Sequence, residues 1–139
     1  MRSSPARVKR AVARNPGTGV YFMTAFMNHR MRLYSAGFYG IKEGKQVIEV
    51  RLLDEKRRLL NLGDVITFSL LPDLNERVQT QVVGLLRYSS FQELFTDISL
   101  SDWNAQGWTV ERAVDRCREI YSMADEERYG VLGIRLRVI

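Results

Sequence analysis

The chain has 139 residues, 45% of them hydrophobic and 10% aromatic, a net charge of +5, and a single cysteine and a single histidine. Such a length and composition fit one domain with a core of its own. One cysteine excludes an internal disulfide and a multi-cysteine metal site, one histidine beside it leaves no zinc ligand set, and no apolar run reaches the ~20 residues of a membrane span.

Residues 1–19 (MRSSPARVKRAVARNPGTG) hold Arg2, Arg7, Lys9, Arg10 and Arg14 without an acid and end in a Pro/Gly linker. They read as a flexible basic N-terminal tail, which leaves residues 20–139 as the folded domain. Free thiol usage suggests a reducing, cytoplasmic setting, although an Arg-rich, acid-free leader also fits an organellar transit peptide. Beyond residue 18 the charges balance in number but not in place. Residues 19–58 carry eight cations and four acids, and residues 59–139 carry eight and twelve. A basic tail joined to a basic first half points to a polyanionic partner.

Next come two short extended segments, VYFMTAF (20–26) and HRMRLY (29–34). SAGFYGIKE (35–43) predicts a short helix with Phe38 and Ile41 on one side and Gly44 ending it. KQVIEVRLL (45–53) alternates as a strand, with Val47, Glu49 and Arg51 on one face and Ile48, Val50 and Leu52 on the other. Residues 54–62 allow one or two helical turns before Gly63. DVITFSLL (64–71) is a strand, PDLNE a turn, and RVQTQVVGLLRY (77–88) a long strand whose Gly84 marks a bulge. Ser90 with Glu93 forms a capping box that opens a helix. The stripe Val110, Ala113, Val114, Cys117, Ile120, Tyr121 predicts a helix over 109–121 and puts Cys117 on its buried face. VLGIRLRV (131–138) closes the chain as a strand. Mixed strands and helices without a βαβ rhythm predict an α+β fold built on a small curled sheet or barrel. The absence of a glycine-rich phosphate loop leaves no cofactor to expect.

The stretch GKQVIEVRLLDEKRR (44–58) carries the most chemistry. Glu49 and Arg51 share a strand face about 7 Å apart, close enough for an ion pair, and Lys45 precedes them on the same face. If that face lines a cleft, Arg51 can grip a phosphate or a guanine edge, and Glu49 can accept from an amine or act as a base. Lys56, Arg57 and Arg58 would then form a phosphate-facing rim. The plainer alternative is a solvated face with one surface ion pair.

Over residues 29–139 the chain resembles the ASCH domain, a PUA-related family. The likeness rests on a helix ending in Gly-Lys, the strand IEVRL, the run DEKRR and the strand GDVITF, with further similarity in GLLRYSSFQELF and YSMADEERYGVLGIRL. It implies a PUA-like pseudo-β-barrel of mixed strands with packed helices. It also implies an RNA- or nucleoside-binding cleft over the IEVRL strand, lined by Lys45, Glu49 and Arg51, with Lys56 and Arg57 as further ligand contacts at the rim and Tyr129 either a ligand contact at the rim or a staple of the preceding turn. Some relatives are amidohydrolases that deacetylate N4-acetylcytidine and others cut RNA, so a hydrolase using Lys45 and Glu49 is the alternative. The amidohydrolases carry a catalytic lysine two residues after the glycine and a threonine three further on. Here those positions are Gln46 and Glu49, which weakens that alternative.

Other candidates are less specific. His29 can serve as a general base or a phosphate contact but has no evident partner in sequence. Trp103 and Trp108 flank a polar loop and either stack on bases or pack in the core or as a lid.

Overall fold

The computed structural model describes residues 6–14 and 21–139, with side chains from residue 26 onward. Six strands, β1 (Ala6–Arg14), β2 (Tyr21–Leu33), β3 (Ile48–Leu52), β4 (Val65–Leu70), β5 (Arg77–Tyr88) and β6 (Val131–Val138), form one sheet in the order β1-β2-β4-β5-β6-β3. β2 and β4 run parallel, and every other pair is antiparallel. Four helices pack on this curled sheet: α1 (Ser35–Lys42), α2 (Phe91–Asp97), α3 (Val110–Arg118) and α4 (Met123–Tyr129). The architecture is the expected α+β half-barrel. Among the described residues, no helix is long and apolar enough to cross a membrane.

Alternation along the strands divides the interior into two cores. Met31, Ile66, Phe68, Val82 and Ile134 fill the hollow of the sheet, and α1 covers them with Phe38 and Ile41. Ile48, Val50 and Leu52 face the other way, onto Phe91, Leu94 and Phe95 of α2 and Ala113, Val114 and Cys117 of α3. The predicted bulge is present: the β5–β6 ladder shifts between Val82 and Gly84, where a Cβ would lie 3.0 Å from that of Arg135. Ser90 caps α2 by accepting from the Glu93 amide at 3.1 Å.

Several boundaries differ from the sequence reading, each for a physical reason. Ala6–Arg14, read as part of the basic tail, runs as a strand beside β2. Nothing between 6 and 14 breaks a strand, and the edge of β2 offers it hydrogen-bonding partners. Residues 1–5 and 15–20 of that tail lie outside the described residues. The two extended segments between 20 and 34 are one continuous strand. The helix over 109–121 stops at Arg118, because Ser122 caps a new helix by accepting from the Asp125 amide at 3.1 Å. Ile120 therefore leaves the apolar stripe and is 62% exposed.

His29 acquires a partner that sequence distance concealed. Its Nε2 lies 2.8 Å from Asp64 Oδ2, and both residues are buried. Asp64 also accepts from the amides of Met27 (3.1 Å) and Asn61 (3.0 Å), so it ties β2 to the turn that enters β4. The pair is a structural knot. Trp103 likewise packs on Phe95 at 4.7 Å between ring centroids, with Trp108 edge-on against it, so both rings pack against the core of α2 and α3.

Candidate functional site

β3 begins only at Ile48, because the chain before it is occupied elsewhere. Gly44 turns with φ +76°, and the amides of Lys45 and Gln46 both donate to the Gly40 carbonyl at 2.9 Å. Lys45 is thus a turn residue, exposed and paired with Glu43 at 3.1 Å, rather than the first residue of a row with Glu49 and Arg51. Gln46 is buried, with its amide donating to the Ile48 carbonyl at 3.0 Å.

Register decides what Glu49 and Arg51 face. They pair with Ile134 and Leu132 of β6, both residues of the sheet's inner core. Neither a solvated face nor an open floor results. Glu49 is 5% exposed, and both of its oxygens are engaged: Oε1 by the Val50 amide at 3.0 Å, Oε2 by Arg51 Nε and Nη2 at 3.2 and 3.0 Å. Burial works against the Arg51 charge, but the Glu49 carboxylate, with smaller help from Tyr121 and Asp54, outweighs it, so the guanidinium pKa lies above its ordinary value.

Arg51 also reaches across the barrel. Among the described residues, β1 covers β2 as far as Asn28, and no described strand lies opposite the carbonyls of residues 29–33 of β2. Arg51 Nη2 donates to the Arg32 carbonyl at 2.9 Å, and Lys56 Nζ donates to the Arg30 carbonyl at 2.6 Å. Two side chains thereby close a seam that an additional strand would otherwise fill.

Beside this seam lies a cavity of about 590 Å³. Six cations border it: Arg30, Arg32, Arg51, Lys56, Arg57 and Arg77. Among the described residues, no carboxylate does. Arg51 is balanced by Glu49 and Arg57 by Asp54 at 3.0 Å, whereas Arg30, Arg32 and Arg77 have no carboxylate partner among the described residues. The Arg57 Nε is buried and makes no hydrogen bond. Burial, and then the charges of Arg57 and Arg51, lower the Lys56 pKa from its ordinary 10.5. Burial is the larger cause of that shift, and the neighbouring guanidinium groups add to it while Asp54 opposes it.

A stability test follows from that shift. In the interval between the lowered native pKa and 10.5, the unfolded chain binds more protons at Lys56 than the native chain, so the lysine's contribution to stability rises with pH. Comparing urea midpoints of the wild type and Lys56→Met at pH 7 and pH 10 should show the wild type gaining on the variant as pH increases. An equal difference at both values would mean that neither burial nor the adjacent guanidinium charges lower the Lys56 pKa.

Of the sequence-predicted contacts, Arg51, Lys56 and Arg57 meet in the cavity. Lys45 stands apart, Glu49 lies beneath Arg51, and Tyr129 ends α4 with its ring under Arg128 at 5.0 Å and its carbonyl accepting from Arg58 at 3.4 Å. Arg30, Arg32 and Arg77 were missed. Their signal was the alternation R-M-R in HRMRL and T-F-S in ITFSL, but only the parallel β2–β4 register places those faces together. Cys117 is a core residue. Burial, reinforced by the Glu49 carboxylate, pushes its thiol up to about 12. The native thiol should therefore react with a disulfide reagent at pH 8 far more slowly than the urea-unfolded chain; equal rates would contradict its burial.

No family model and no curated protein matches the chain. Among solved structures, the hypothetical protein PH0355 is similar over 81% of this chain and 100% of its own, with 33% identity and a TM-score of 0.73. The chain belongs to the family of PH0355. PF0455 from Pyrococcus furiosus, known from a solution structure, matches at 30% identity over 81% of this chain and 98% of its own, with a TM-score of 0.66. ASCH from Zymomonas mobilis shares the fold at 13% identity, covering 79% of this chain and 66% of that one with a TM-score of 0.55. The family fold is therefore the ASCH, PUA-like fold, as the resemblance of the sequence implied.

Proposed function

We propose that this protein binds RNA or a nucleotide-type polyanion in the cavity between the outer faces of β2, β4 and β5 and the loop of residues 54–58. One observation carries the reading: among the described residues, six cations and no carboxylate line a cavity of about 590 Å³. Among the described residues, three of them, Arg30, Arg32 and Arg77, have no carboxylate partner. A concave surface of one sign concentrates its field and attracts the opposite charge, and Arg presents planar, bidentate donors suited to phosphate. The ASCH fold is consistent with this use. Gln46 and Glu49, the positions at which the resemblance places an amidohydrolase's lysine and threonine, are both buried in internal hydrogen bonds. The cavity itself offers donors and cations, which suits binding.

The experiment is a titration of the isotope-labelled chain with single-stranded RNA, followed by amide and arginine side-chain NMR shifts. Perturbations should centre on Arg30, Arg32, Ser69 and Arg77. Perturbations confined to the turn at Lys45 or to the helices would place the ligand elsewhere and overturn the proposal.

A further inference from the structure

We infer that the cavity is built to seat two successive phosphates of one nucleic-acid strand, with the bases left unread. The inference rests on the proposed binding of RNA and specifies how that binding is achieved. Register carries it. Arg32 of β2 lies beside Ser69 of β4, which lies beside Arg77 of β5, forming one cross-strand row. Two residues earlier on β2, Arg30 lies beside Thr67, forming a second. Residues two apart on a strand are separated by about 7 Å, comparable with the step between phosphates of an extended single strand.

Each row receives one further cation from across the seam. Arg51 rests on the carbonyl of Arg32 and so joins the first row, while Lys56 rests on the carbonyl of Arg30 and joins the second. The hydroxyls differ. Thr67 Oγ1 already donates to Asn28 Oδ1 at 3.0 Å, whereas the Ser69 hydroxyl makes no hydrogen bond among the described residues and is free to donate. The first seat thus combines three guanidinium groups with a hydroxyl donor, and the second combines a guanidinium with an ammonium. Among the described residues, the lining has no aromatic ring on which a base could stack and no carboxylate to accept from a base amino group. Recognition is left to the phosphates, spaced as phosphodiesters are rather than as the adjacent phosphates of a pyrophosphate.

The test uses the full chain and a labelled oligouridylate displaced by small competitors: a nucleoside 5′-monophosphate, the 5′-diphosphate and the 3′,5′-bisphosphate, each with uracil and with adenine. The bisphosphate should compete at least about tenfold better than the other two, equally for both bases. Arg30→Ala should remove that advantage while leaving the monophosphate unchanged. A diphosphate equal to the bisphosphate, or a base preference above about tenfold, would overturn the two-seat arrangement while leaving RNA binding intact. Failure of the oligouridylate itself to bind at low salt would overturn both.

Discussion

Glu49→Ala is expected to lower the stability of the protein by about 3–5 kcal/mol, the range found when one partner of a buried ion pair is removed and the other is left uncompensated. The Glu49 and Arg51 side chains are only 7% and 14% exposed, so solvent cannot replace the lost carboxylate. The loss spreads beyond the pair. With Glu49 gone, the Val50 amide loses its acceptor, and Arg51 is no longer held where it bonds the Arg32 carbonyl. Glu49→Gln keeps the shape and one acceptor oxygen but leaves the guanidinium charge unmatched, so it should fall between the wild type and the alanine variant. Urea unfolding monitored by tryptophan fluorescence reads the effect. Were Glu49 a catalytic base held in an otherwise indifferent setting, the glutamine variant would unfold with the wild type, and a change below about 1 kcal/mol for alanine would contradict the seam.

That result bears on how binding should be probed. Arg51→Ala is an obvious choice from the sequence, but it would leave Glu49 buried and unpaired and would confuse instability with lost affinity. Arg32 and Arg77 are better. Both are exposed and without a carboxylate partner, so Arg32→Ala with Arg77→Ala should change stability little, within about 0.5 kcal/mol per site. The same double variant removes two of the three guanidinium groups of the first row. A charge-assisted bond contributes about 1.5–3 kcal/mol when desolvated and less at an open rim. Taking about 1 kcal/mol for each of these two exposed sites implies a loss of roughly thirtyfold in affinity for single-stranded RNA at low salt. Unchanged affinity in a variant with an unaltered melting temperature would show that the cavity is not the binding site.

Much of the fold was legible because alternation and capping are local. The helix at Phe38 and Ile41, the bulge at Gly84, the Ser90 cap and the closing strand all follow from residues within one element of each other. The IEVRL strand was also correctly singled out, and the Glu49–Arg51 pair forms as its spacing allowed. What the sequence left open was the direction in which that pair faces. A two-residue period defines two faces without saying which one meets the core, and here the charged face pairs with Leu132 and Ile134. Lys45 was misplaced for a related reason: the hydrogen bonds that hold it around the end of α1 go to Gly40, and alternation alone extends a strand too far. The cationic cavity depends on β2 lying parallel to β4 across more than 30 residues of chain. No local pattern specifies such a pairing, so Arg30, Arg32 and Arg77 looked like ordinary surface charges. The same distance separated His29 from Asp64.

The most direct test of the central claim is the salt dependence of RNA binding, compared between two charge-reduced forms of the full chain. One carries Arg32→Ala and Arg77→Ala in the cavity; the other carries Arg7→Gln and Arg10→Gln in the basic N-terminal segment. Fluorescence anisotropy of labelled single-stranded RNA across a salt series gives a slope of about −0.7 per phosphate neutralised. If the cavity holds the RNA, the first variant should bind weakly with a visibly shallower slope, and the second should keep most of its affinity. If instead the cavity variant follows the wild type while the N-terminal variant loses both affinity and slope, then the basic N-terminal segment carries the binding and the cavity does not.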